Sequence, residues 1–170
     1  MVGKLEWVPA EQGRELLAAP VAAAVTDGVR VAAIDPELAD TAAFCERYEV
    51  PLEISANCVV VAAKRGGEVT YAACMVLATD RADVNGVVRK HLGARKVSFA
   101  PMDEATSLTG MEYGGITPVG LPAGWPVLVD EAVAAAGDVV IGSGLRRSKL
   151  LVPGKSLAAL PGAEVIALTR

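Results

Sequence analysis

Histidine and aromatic side chains are scarce in this sequence. Only 4% of the 170 residues are Phe, Trp or Tyr, and His91 is the only histidine. A serine–histidine or cysteine–histidine mechanism would therefore have to use His91, and no second histidine exists to help build a metal site. His91 lies on the apolar face of a predicted helix, so we interpret it as a partly buried structural residue.

CxxC pairs, a net positive charge and long apolar runs are also missing. The three cysteines form no CxxC pair, and Cys58 and Cys74 lie inside apolar runs, as buried free thiols commonly do. The formal net charge is -4, which argues against a protein that coats DNA or another nucleic acid non-specifically. The apolar stretch at 16–25 is too short to span a bilayer. We therefore expect a cytoplasmic protein that binds no membrane.

Small and β-branched apolar residues dominate what is present. Hydrophobic residues make up 52% of the sequence, mostly Val and Ala, which suit strands and tight helix contacts. The length fits one domain, so residues 1–170 are expected to form a single unit, with 1–34 as a peripheral N-terminal extension.

Apolar periodicity predicts an α+β protein. Two Val-rich runs at 57–63 and 69–78, joined by a connection with two glycines, predict a central hairpin. Helices are expected at 10–25, 35–50, 80–93, 101–110 and 131–137, and further strands at 29–34, 96–100, 125–130, 138–144, 148–152 and 163–169. The order is neither βαβ nor all-β. It predicts a mixed, strongly curved or partly barrel-like sheet with helices packed outside it.

Two short clusters are locally basic in this acidic chain, at 89–96 ("RKHLGARK") and at 144–149 ("GLRRSK"). Solvated faces explain most such runs, but the two clusters could equally flank a ligand that carries phosphate.

A glycine-rich loop at 109–122 ("TGMEYGGITPVGLP") contains four glycines and two prolines. Such density marks a chain path or a ligand that tolerates few side chains, although a wide surface turn is the simpler interpretation.

Several stretches, in order, resemble the YbaK/EbsC family of aminoacyl-tRNA trans-editing domains, which are related to the insertion domain of prolyl-tRNA synthetase. They are "AAFCERYEVPLEISANCVVV", "LGARKV", "DEATSLTG", "GGITPVGLP" and "VLVDEAV". The resemblance covers roughly residues 35 to 170. It implies a YbaK-like fold and the hydrolysis of the ester that joins an amino acid to a mischarged tRNA, with no metal or organic cofactor.

The resemblance also implies a set of site residues. Asn57 and Gly115 would be catalytic, with the loop backbone near Gly115 stabilising the developing oxyanion. The predicted substrate-binding residues are Gly114, Ile116, Thr117, Pro118, Ser143 and Gly144, the last two beside the adenosine. The candidate tRNA contacts are Arg146, Arg147 and Lys149.

One position departs from the family. Deacylases of this family usually carry a lysine at the entry of the first hairpin strand, where this chain has Ala56. Two hypotheses therefore remain open. Either Asn57, the loop and the 2′-hydroxyl of the substrate carry out hydrolysis, or the module binds an aminoacyl-tRNA end, an amino acid or a protein partner without cleaving it.

Overall fold

Two β-sheets form the framework of the computed structural model, which describes residues 2–169. The strands are β1 Val8–Pro9, β2 Arg30–Ala33, β3 Ala56–Arg65, β4 Glu68–Leu77, β5 Lys96–Phe99, β6 Val127–Asp130, β7 Asp138–Gly142, β8 Ser148–Pro153 and β9 Ala163–Ile166. One sheet has the order β1-β2-β8-β7 and the other the order β5-β3-β4-β6-β9.

The helices are short. They are α1 Ala19–Ala24, α2 Thr41–Tyr48, α3 Arg89–Leu92, α4 Met102–Thr109, α5 Glu131–Ala134 and α6 Gly154–Ala158. The helix predicted over 10–25 is reduced to α1 and a preceding 3-10 turn. Pro20 is the second residue of α1 and lies in its first turn, where its missing N–H costs nothing, so the helix starts beside this proline.

The helix predicted over 80–93 is also shorter than expected. A π-helical turn spans Val84–Val88 and leads directly into α3. The Asp83 carboxylate accepts hydrogen bonds from the N–H groups of Gly86 and Val87, which caps this turn. Gly93 ends α3 in the left-handed conformation, which glycine adopts without steric cost.

The predicted hairpin is the centre of the five-stranded sheet. β3 and β4 pair in antiparallel register from Ala56 opposite Leu77 to Arg65 opposite Glu68. β5 pairs antiparallel with β3, whereas β6 pairs parallel with β4 and β9 parallel with β6. The sheet is therefore mixed, as predicted.

The core has layers on both sides of each sheet. The largest apolar cluster lies between the sheets and combines Met75 and Val129 of one with Ile141 and Leu150 of the other. A second cluster packs the five-stranded sheet against the π-helical turn, and a third packs the four-stranded sheet against Phe44 of α2.

The α+β class is confirmed, but the sheets do not close into a barrel. They are separate sheets that meet where Ser55, just before β3, forms a bridge with Val140 of β7. The N-terminal 34 residues are not peripheral: β2 pairs with β8, and Val21 and Val31 are completely buried. This segment supplies part of the central core because it completes the four-stranded sheet.

Candidate active site

A cleft opens where the two sheets meet. It has a volume of about 330 Å³. Its walls come from the start of α2, the start of β3, the loop before β6, the end of β7 and the start of β8. The residues that line it include Thr41, Asn57, Tyr113, Gly114, Gly142 and Lys149.

Two glycines allow the loop to lie directly on β7. A Cβ atom at Gly142 would stand 2.6 Å from the carbonyl oxygen of Gly115 and 2.8 Å from that of Ile116. A Cβ atom at Gly115 would stand 2.8 Å from the backbone carbon of Leu145. All three distances are too short for a side chain, so the predicted loop is fixed by backbone contacts.

Gly115 lies beneath the loop surface instead of facing the cleft. Its N–H donates to Glu112 at 3.0 Å, and its carbonyl accepts from the N–H of Gly144 at 2.7 Å. The N–H groups of Gly114 and Ile116, in contrast, have no acceptor among the described residues. If this loop stabilises an oxyanion, these two N–H groups are the donors that remain for it.

Asn57, the second residue of β3, reaches the cleft. Its Oδ1 accepts a 2.7 Å hydrogen bond from the hydroxyl of Thr41, the first residue of α2. This bond fixes the side-chain amide and leaves its N–H groups for a ligand or a water molecule. The predicted site residue is therefore held in position by a residue that sequence reasoning missed.

Lys149 reaches the same cleft from β8. It is only 8% exposed, its Nζ donates to the Ala39 carbonyl at 2.9 Å, and it lies 5.1 Å from the centre of the Phe44 ring. Burial lowers the pKa of Lys149 to about 8, although the nearby Cys45 and Asp40 oppose the shift. Lys149 is thus buried in the cleft wall, and its contact with tRNA stays a prediction.

Arg146 connects the segments that surround the cleft. Its guanidinium donates to the carbonyl of Tyr113 at 3.2 Å and to that of Pro36 at 3.1 Å, and it lies 3.6 Å from the Asp40 carboxylate. Arg147 is exposed, and its guanidinium donates to the carbonyl of Glu15. Both candidate tRNA contacts thus donate hydrogen bonds to backbone carbonyls of other segments.

Four predicted substrate-binding residues lie outside the cleft lining. Ser143 is fully buried, and its hydroxyl accepts a hydrogen bond from the hydroxyl of Ser148. Gly144 lies against the methyl group of Ala18. Thr117 is also fully buried, and its hydroxyl has no hydrogen-bond partner among the described residues. Pro118 faces a different hollow.

That other hollow is larger but chemically simpler. It has a volume of about 780 Å³ and runs past Pro118, Trp125 and Leu160. Glu164 is its one charged lining residue within the described part of the chain. His91 is also far from the cleft chemistry, because its Nε2 lies 3.0 Å from that same Glu164 carboxylate. The cleft is therefore the place where donors and a cation converge.

Two signals in the sequence pointed towards the missed residues. Alternation along β8 puts Lys149 on the same face as Leu151, which belongs to the cluster around Phe44. The buried position of Lys149 could therefore have been predicted from the sequence. Tyr113, at 55% exposure, belongs to the glycine-rich loop itself. Nothing local marks Thr41 or Gly142, because their importance depends on contacts between distant segments.

Comparison with known proteins agrees with this arrangement. The chain resembles a crystal structure of a candidate trans-editing enzyme for prolyl-tRNA synthetase, with 22% identity, a TM-score of 0.72, and coverage of 84% of this chain and 87% of that one. It is similar also to the crystal structure of a hypothetical protein, with 21% identity, a TM-score of 0.74, and coverage of 84% and 91%. At these identities the likeness shows the fold, which is YbaK-like.

The described residues include no helix that is long and apolar enough to cross a membrane. The model of the aminoacyl-tRNA editing domain matches residues 35–160, which include every segment that lines the cleft. This chain therefore belongs to the aminoacyl-tRNA editing domain family.

Proposed function

We propose that the protein is an aminoacyl-tRNA deacylase that acts in trans on mischarged tRNA. The observation that carries this proposal is the open cleft, in which the amide of Asn57, the hydroxyl of Thr41 and the backbone of Gly114 converge. A module that had lost its substrate would be free to fill this space with side chains. The cleft of about 330 Å³ is instead at the lower end of the size range of small-molecule sites.

The reaction is the hydrolysis of an ester. A water oxygen bonds to the acyl carbon, the bond from that carbon to the ribose oxygen breaks, and a proton from the water passes to the ribose oxygen. Asn57 orients the water or the ribose, and the neighbouring 2′-hydroxyl of the substrate assists the transfer. The unpaired N–H groups of Gly114 and Ile116 stabilise the oxyanion as it forms.

The nucleotide end of the substrate follows the surface beside the cleft. Tyr113 offers an exposed ring on which the terminal adenine can stack. Asn57 and Val59 also border a further hollow of about 790 Å³, which reaches Lys96 and Phe99 and is separate from the one beside Pro118. Phe99 is 67% exposed, and Lys96 belongs to the basic cluster at 89–96, so this path offers both stacking and phosphate contacts.

A binding module without hydrolysis is the second candidate. The observations that favour it are the methyl group of Ala56 in the cleft wall and the N–H of Gly115, which is already bonded to Glu112. Under this hypothesis the cleft would hold an aminoacylated end or a free amino acid.

A hydrolysis panel distinguishes the two candidates. Wild-type protein is incubated with tRNAs that each carry a wrong amino acid, and release of the amino acid is measured above the rate of spontaneous hydrolysis. We expect one or a few small amino acids to be released. Asn57→Ala should reduce that rate at least tenfold, because the group that orients the reactants is gone.

The matched control is Gln12→Ala, which also removes a side-chain amide, at an exposed position that lines neither the cleft nor the hollow beside it. Gln12→Ala should retain the wild-type rate. If the wild type releases no amino acid from any tRNA above background, the deacylase proposal is wrong and the binding module replaces it.

A further inference from the structure

Lys149 is a cation buried in the wall of the cleft. Among the described residues, no carboxylate forms an ion pair with its Nζ, and the carboxylate of Asp40, the one acid in the cleft lining, instead lies 3.6 Å from Arg146. One of the three ammonium donors is used by the Ala39 carbonyl. Burying a charge in this way costs stability unless a partner compensates it, so the position calls for an explanation.

A purely structural role explains the position poorly. The apolar neighbours of Lys149 are Phe44 and the buried β8 residue Leu151, and an uncharged side chain such as Met would fill the same space without desolvation cost. Only one carbonyl would lose its donor. The two remaining N–H groups of the ammonium are available to a ligand in the cleft, which Lys149 lines together with Asn57 and Gly114.

The beginning of α2 lies on the wall of the same cleft, where the Asp40 carboxylate is paired with Arg146 at 3.6 Å. The Asp40 side chain does not cap this helix, and Asp40 and Thr41 both line the cleft. The N–H groups of the first turn therefore lack side-chain capping, and the positive end of the helix dipole lies beside Lys149. A cation and a helix N-terminus on one wall suit a ligand group that carries or develops negative charge.

We propose that Lys149 is a catalytic residue of the editing reaction, whose ammonium donates to the oxyanion that forms on the acyl carbon when water attacks the ester. This inference rests on the proposed deacylase function. β8, a strand of the other sheet, thereby supplies the cation that β3 lacks at Ala56. Lys149 keeps its protons throughout, and the ribose oxygen receives its proton from the attacking water.

The test compares Lys149→Met with the wild type on the mischarged tRNA that the wild type hydrolyses fastest. We expect kcat to fall by 10²–10³, the usual loss for one oxyanion donor, and KM to change less than threefold. Urea denaturation verifies that the variant is folded. Lys155→Met, the same substitution at an exposed lysine shortly after β8, should retain the wild-type kcat.

The pH dependence provides a second readout. The ratio of the wild-type rate to the Lys149→Met rate should fall as the ammonium loses its proton, near pH 8. Three results overturn the inference: an unchanged kcat in folded Lys149→Met, a change in KM alone, or a ratio that rises through pH 8, which would indicate a general base. A wild type that hydrolyses no mischarged tRNA refutes the deacylase proposal itself and is recognised before any variant is made.

Discussion

The two basic clusters of the sequence have opposite fates in the fold. In the outer cluster, at 89–96, Lys90, Arg95 and Lys96 remain exposed at the edge of the five-stranded sheet. In the inner cluster, at 144–149, Arg146 fastens the segments around the cleft, and Lys149 is buried in its wall.

A run of charges does not by itself determine exposure. The outer cluster lies on a short helix and an edge strand, where long side chains reach solvent on most sides. The inner cluster enters β8, the third strand of its sheet, whose alternate residues must face a core on each side. Alternation therefore directs Lys149 inwards, and the cleft is the space that accommodates its charge.

The strongest test of this comparison is to break the contact that holds the loop on the inner side. Gly142 is the β7 partner of Lys149, and Gly142→Val would drive a side chain into the carbonyl groups of Gly115 and Ile116. We expect the free energy of unfolding in urea to drop by about 3 kcal/mol or more, because a packed backbone cannot yield. Ala33→Val, at an exposed strand position opposite Ser148, should stay within about 0.5 kcal/mol of wild type.

The buried charge of Lys149 should make stability depend on pH. Its pKa is lowered from 10.5 to about 8, so between these values the unfolded chain binds more protons than the folded one, and stability rises with pH. Below pH 8 the whole cost is present, on the order of 3 kcal/mol or less. Lys149→Met should therefore be more stable than wild type at pH 7, and this advantage should shrink from pH 8 to 10.5.

The measurement is the difference in free energy of unfolding between the two proteins at each pH. The difference is needed because burial raises the pKa of Cys45, Cys58 and Cys74, which lowers stability in alkaline solution in both proteins. A wild type that is as stable as Lys149→Met at pH 7 would contradict the description of Lys149 as an uncompensated buried cation.

The smallest effect is expected from the outer cluster. Arg95→Ala combined with Lys96→Ala should leave the free energy of unfolding within about 0.5 kcal/mol of wild type, because both side chains are exposed. If the cluster contacts tRNA phosphates, the dependence of log K on log salt should lose about two units of slope. Fluorescence anisotropy with tRNA at several salt concentrations measures it. The control is Arg30→Ala with Lys155→Ala, which removes two exposed cations elsewhere.

Much of the fold was predictable from local pattern. The hairpin of β3 and β4 follows from two Val-rich runs joined by glycines, and its register agrees with the apolar alternation. The helix at 80–93 was less predictable, because its pattern does not distinguish a π-helical turn from an α-helix. The helix predicted at 10–25 is shortened by Pro20, which lacks an N–H and therefore suits only a helix start.

The candidate site was predictable only in part. The glycine-rich loop and Asn57 were identified from the order of short motifs, and both contribute to the cleft wall. Thr41 and Gly142 were missed, since their roles depend on a hydrogen bond and on a close approach between segments far apart in the chain.

Composition, periodicity and motif order were enough to predict the family, the α+β class and the presence of a loop that tolerates few side chains. Which groups meet depends instead on contacts between distant segments. Ser55 bridges to Val140, Gly142 pairs with Lys149, and through these contacts a lysine from β8 reaches the cleft that begins at Ala56. Strand order and the contacts between the sheets are set by the packing of the whole chain, which no local stretch of sequence specifies.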